Sequence, residues 1–274
     1  MRKLIDAETG EVFDNVKYIR TAESDKAYEK LQSKKLNRSN ENFIFLTYDI
    51  CNKLNIDNGN FKQSDIAKII YIMSYVGNDN KLMLTERTPI TKDKLSELLG
   101  LNKKIFNTFY NKLINNNILI EKDNCLFIDK QFSFYGSIKN NKYNIIRIYK
   151  KNIRKLYNSV STKQHKQLAI LYLLIPFINI KYNIVCSNPF EEDENKLIPM
   201  KVEELAKYFN YNLQSFISLI DFLSDLKDKD NMPIIKTINN TKNKKDNSIV
   251  VNPRVIYAGD DFRNVKAFSA IFNI

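Results

Sequence analysis

Between Pro89 and Leu113, the apolar side chains Leu95, Leu98, Leu99, Phe106, Phe109 and Leu113 recur at the spacing of helices that bury one face. Thr91 stands ahead of the first run as an N-cap, and Gly100 interrupts the pattern where a helix can end in the left-handed conformation. This predicts a short helix, a turn and a longer helix. From Ile118 to Asp129, apolar and polar residues alternate through a polar Lys122-Asp123-Asn124 turn, which predicts a β-hairpin. Helix, turn, helix and hairpin in that order make a winged helix.

The plan recurs from Pro199 to Leu223, where Leu205, Phe209, Phe216, Leu219 and Leu223 fall at the matching steps and Asn210 takes the place of Gly100. Its hairpin is expected from Pro233 to Pro253, with a longer polar tip over Asn239 to Asn247. Upstream, the segment 43–54 is matched by 144–156, each a short apolar stretch, a Tyr and an amphipathic run ending in Lys-Leu. An apolar helix follows each, with Ile69-Ile70-Tyr71-Ile72 aligned on Ile170-Leu171-Tyr172-Leu173. Both copies close on an aromatic residue and a glycine, in Phe134-Tyr135-Gly136 and Tyr257-Ala258-Gly259. The expected fold class is α+β, mainly α, with two tandem winged helix-turn-helix domains at 40–138 and 139–263. Ahead of them, 1–39 holds a small hairpin turning at Thr9-Gly10 and a polar, Lys-rich arm. Residues 264–274 form a tail with Phe268 and Phe272.

Composition narrows the function. The 274 residues suit about two domains, and 43% hydrophobic content suits a packed core. Lys and Arg total 43 against 31 Asp and Glu, a net charge of +12, which directs attention to nucleic acid. The Lys and Asn richness expected of an AT-rich genome gives the same excess. Cys51, Cys125 and Cys186 lie far apart, without metal or disulfide spacing, so a reducing, cytoplasmic setting is expected. The N-terminus turns acidic before any signal-peptide core, and the longest apolar run, Leu168 to Ile178, is too short to span a bilayer and reads as a buried helix.

Six scattered glycines build neither a G-x-G-x-x-G nor a P-loop motif. The single histidine, His165, has no nearby carboxylate to orient it and reads as an exposed helix-start residue. The acidic run Glu191 to Glu194 lacks the ligand spacing of a calcium loop and reads as a solvated loop. No catalytic constellation emerges, and no enzyme activity, cofactor or metal is expected.

The opening Ile5-Asp6-Ala7-Glu8-Thr9-Gly10-Glu11-Val12, the helix-turn-helix at Ile90 to Leu113 and the closing Val251-Asn252-Pro253-Arg254-Val255-Ile256-Tyr257-Ala258-Gly259-Asp260 resemble the RepL-type plasmid replication proteins of low-GC Gram-positive bacteria. The tandem arrangement and length are similar, separately, to iteron-binding plasmid initiators, which place two winged helices on one chain. The chain departs from the RepL pattern in carrying two units. The resemblance implies origin DNA as a partner and recruitment of host replication proteins, with a homodimer as a further expectation.

A winged helix lays its second helix in the major groove. With Phe106, Phe109 and Leu113 turned to the core, the other face of the first copy offers Asn102, Lys103, Lys104, Asn107, Thr108, Asn111 and Lys112, and Lys122 stands at the hairpin turn. Lysines can neutralise phosphate or meet guanine, and asparagine pairs with adenine. In the second copy the face offers Asn212, Gln214, Ser215 and Ser218, but Asp221, Asp225 and Asp228 follow and would repel phosphate. Either only its first turn touches DNA, or this unit contacts protein; its hairpin tip adds Lys242, Lys244 and Lys245. Between the two recognition elements, Lys130 to Phe190 contains no acid while Lys139, Lys142, Arg147, Lys150, Lys151, Arg154, Lys155, Lys163 and Lys166 accumulate, and Lys150, Lys151 and Arg154 are expected along phosphates. The readings are a plasmid replication initiator, a plasmid or phage transcriptional regulator, and an interaction module without specific DNA binding.

Overall fold

A computed structural model describes residues 3–5, 8–13, 23–24, 28, 43–54, 61–136, 145–238, 243–259 and 272. Residues 1–40 and 41–274 form two separate compact units. In the first, β1 (Leu4–Ile5) pairs antiparallel with β2 (Val12–Phe13), and Gly10 takes the positive φ of 72° that the expected turn requires. Most of the Lys-rich arm and of the C-terminal tail lies outside the described residues, although Phe272 is buried.

The second unit is mixed α and β and mainly helical, with eight α-helices and several small sheets among the described residues. Its chain order begins with β3 (Phe43–Thr47), α1 (Ile50–Lys53), α2 (Gln63–Met73), α3 (Lys92–Leu99) and α4 (Lys103–Asn115). The hairpin β4 (Leu119–Lys122) and β5 (Cys125–Ile128) and the short β6 (Ser133–Phe134) follow. Then come β7 (Ile145–Tyr149), α5 (Lys150–Ser159), α6 (His165–Leu173), α7 (Val202–Tyr208) and α8 (Leu213–Asp225). The chain closes with the hairpin β8 (Ile235–Ile238) and β9 (Ser248–Val251), and then β10 (Ile256–Tyr257).

The expected helix, turn, helix, hairpin succession is present twice, and its local causes are visible. Thr91 accepts from the Lys94 N–H at the start of α3, and Gly100 ends it at φ 60°. Asn210 ends the matching α7 at φ 54°, a conformation asparagine tolerates better than most side chains. Asp123 and Asn124 both take positive φ, the signature of a two-residue type I′ turn, and set Lys122 opposite Cys125. The run 168–178 is buried in large part, but it is helical only to Leu173 and then tightens into a 3₁₀ turn at Ile175–Phe177 around Pro176.

The two copies share one four-stranded sheet, ordered β10-β7-β3-β6. The opening strands β3 and β7 pair antiparallel, from Phe43 opposite Tyr149 to Thr47 opposite Ile145, and each copy's closing strand flanks its own opening strand. Behind the sheet, Ile44, Leu46, Ile146 and Ile148 join the core with the matching helices α2 and α6, which pack on each other. Asn183 (φ 56°) is buried and donates to the Val251 and Ile256 carbonyls while accepting from the Ala258 N–H, tying the second hairpin to β10.

His165 departs from expectation. It is 4% exposed, stacked on Tyr157 with ring centroids 4.0 Å apart, and Tyr157 stacks in turn on Tyr71 at 3.9 Å. Its Nε2 lies 3.2 Å from the Tyr157 carbonyl. An aromatic slot between α2 and α5 was open to the ring, and burial there replaces the solvent position expected from its polar neighbours. Burial pushes the imidazole below its ordinary pKa; the Tyr157 carbonyl works the other way and Lys68 adds to the lowering. The folded chain therefore takes up this proton less readily than the unfolded chain. Its contribution to stability is complete above about pH 6.5 and is lost as pH falls below that value. Thermal melting from pH 8 to 5 is expected to show the decline, and His165→Phe is expected to flatten it; identical acid slopes for parent and variant would count against this cause.

Candidate nucleic-acid interface

Helix α4 contains no acidic residue and begins at Asn102, whose Oδ1 accepts from the Ile105 N–H at 2.9 Å. Its buried stripe is Phe106, Phe109, Tyr110 and Leu113. Lys103, Lys104, Ile105, Thr108 and Asn111 are exposed, Asn107 and Lys112 half-buried. The Tyr110 hydroxyl donates to Glu121 Oε2 at 2.7 Å and the Lys92 ammonium lies 4.4 Å above the Tyr110 ring, so the helix is fixed to β4 and to α3. Lys122 is exposed on β4, at the end of the hairpin. Lys103, Lys104, Thr108 and Asn111 thus share one rigid element facing solvent. Ile105 stands among them, an exposed apolar residue outside the polar set that the sequence singles out. Its signal was an apolar side chain one step off the buried stripe.

Helix α8 repeats the geometry with different chemistry. Asn212 caps it, accepting from the Gln214 and Ser215 N–H groups, and Gln214, Ser215 and Ser218 are exposed. Lys103, Lys104 and Asn111 are replaced in register by Leu213, Gln214 and Asp221. Lys244 reaches Asp221 with Nζ 2.9 and 2.8 Å from the two carboxylate oxygens, so a cation of the segment joining the hairpin strands is paired with the helix itself. Lys245 is half-buried, and Lys242 lies outside the described residues. Asp228, expected to repel phosphate, is instead completely buried in the turn that follows α8, where its carboxylate accepts from the Asp230 and Met232 N–H groups and from Asn252.

The acid-free block between the two recognition helices departs furthest from expectation. Lys150 is 6% exposed, its Nζ donating to the Val76 carbonyl and lying 4.2 Å from the Tyr135 ring centroid. Burial, with the Arg154 charge adding to it, pushes its ammonium down to about 8. Arg154 donates to the Ser74 carbonyl and hydroxyl and stacks over Tyr75 at 3.7 Å. Arg147 donates to the Gly259 carbonyl and Lys155 to the Asp228 carbonyl. These cations donate to main-chain oxygens outside the helix and strand ladders, the Asp228 carbonyl accepting from the Asn231 N–H as well. Lys151, Lys163 and Lys166 remain exposed, while Lys139 and Lys142 lie outside the described residues.

Among the described residues, no group of three or more His, Cys, Asp or Glu side chains could hold a metal ion, and no helix is long and apolar enough to cross a membrane. Comparison with protein-family models, with curated proteins and with solved structures returns no match.

Proposed function

We propose that this chain is a cytoplasmic, sequence-specific double-stranded DNA-binding protein of two winged-helix units that initiates plasmid replication, recognising an origin and recruiting host replication proteins without catalysis of its own. The observation that carries the DNA reading is the exposed face of α4. Two lysines, a threonine and an asparagine are held outward on a capped, acid-free helix, beside a hairpin ending in Lys122. Replication, rather than transcriptional control, rests on the resemblance to RepL-type proteins.

A second reading applies to the other unit. With Asp221 holding Lys244 and no lysine on the exposed face of α8, that face suits protein better than phosphate, either a host replication protein or a second copy. Fluorescence anisotropy on fragments from the gene's own neighbourhood, with random duplex in excess and across a salt series, tests the DNA reading. Preference for one repeated element supports it, and loss of autonomous replication from a plasmid bearing that element when α4 is altered assigns the initiator role. Equal, weak, salt-insensitive binding to every fragment would leave the interaction module as the better account.

A further inference from the structure

We propose that Ile105 and Thr108 read the C5-methyl groups of thymine in the major groove, making α4 a reader of thymine-containing steps. This deepens the DNA-binding reading and rests on it. The buried apolar residues of α4 are nearly closed to solvent, Phe106 at 3%, whereas Ile105 is 51% exposed. A lone exposed isoleucine is ordinary on a protein surface. This one belongs to a pattern. One turn further along the same face, the Thr108 hydroxyl donates to the Lys104 carbonyl at 3.0 Å, and the Asn102 side-chain oxygen is taken by the Ile105 N–H. The Thr108 hydroxyl proton and the Asn102 side-chain oxygen are thus engaged within the helix. Ile105 has only methyl and methylene surface to offer a base edge, and Thr108, its proton taken by the Lys104 carbonyl, offers a methyl beside a hydroxyl oxygen that can now only accept.

Of the four bases only thymine carries an apolar group into the major groove, so methyl surface there selects thymine. The chain contains its own contrast. In α8 the corresponding residues are Ser215 and Ser218, and Ser218 makes the same bond, to the Gln214 carbonyl at 3.1 Å, but neither carries a methyl.

The test takes the duplex that the full chain selects from a random-sequence pool and compares it with the same duplex carrying deoxyuridine for thymidine. The parent protein is expected to bind the uracil duplex more weakly, by about fourfold for each methyl contacted. Ile105→Ala is expected to lose most of this penalty, Thr108→Ser part of it, and Thr108→Val, which keeps a methyl and removes the hydroxyl, none. A parent protein indifferent to uracil, or an Ile105→Ala variant retaining the full penalty, overturns methyl reading while sequence-specific binding stands. Recovery of no preferred duplex overturns the DNA reading and this one with it. The parent comparison requires no variant to fold.

Discussion

Replacing Lys103 and Lys104 together by alanine is expected to weaken specific duplex binding by roughly 50-fold at about 0.1 M salt, since each counterion released there is worth close to tenfold. Both side chains are exposed at the start of α4 and neither replaces a core contact, so the melting temperature is expected to hold. The slope of log affinity against log salt should fall by about 1.8, two phosphate contacts at about 0.9 each. That slope is the decisive readout, because a general loss of structure would lower affinity without removing a fixed number of counterions. Lys196→Ala, at an exposed position beside the acidic run Glu191 to Glu194, serves as the comparison. An unchanged slope for the double variant would remove α4 from the phosphate interface.

What could be read from the residues alone was whatever is decided within a few positions. Thr91, Gly100 and Asn210 end or begin helices through bonds to neighbours, and the Leu and Phe spacing of α3, α4, α7 and α8 follows from which face is buried. The pairing of β3 with β7 was not legible, because neither strand's pattern names its partner about a hundred residues away. The charge block was misread at Lys150 and Arg154 for the same reason. Lys150 and Arg154 find the carbonyls of Val76 and Ser74 at separations of 74 and 80 residues, so counting cations along the chain could not distinguish those that meet phosphate from those that meet the backbone. At the candidate interface the polar residues of α4 were legible and Ile105 was not. An apolar residue in a helix is assigned to the core until its exposure is known.

Asp228 provides the largest expected effect on stability. The turn from α8 to β8 is closed by its carboxylate, with Oδ1 accepting from the Asp230 and Met232 N–H groups at 2.9 Å each and Oδ2 from Asn252 Nδ2 at 3.2 Å. Its main-chain carbonyl accepts from Lys155 at 2.6 Å, and Asn152 of the same helix accepts from the Lys229 N–H, so the turn also anchors α5. Asp228→Ala would leave three donors around a buried position without their acceptor. Hydrogen bonds to a charged group contribute about 1.5 to 3 kcal/mol each, with part recovered by water at the turn's exposed edge, which sets the expected loss at about 4 kcal/mol. For a unit of this size that is a fall of about 10 °C in melting temperature. Asp228→Asn is expected to recover only part of it. The Asn252 amide is held in orientation by its own bond from the Arg254 N–H, so the introduced amide, if it keeps its oxygen on the turn, points a donor at a donor. If Asp228 instead acted on DNA as a repelling charge, Asp228→Ala would raise duplex affinity and leave the melting temperature unchanged. Calorimetry and anisotropy on the same variant therefore separate the two roles.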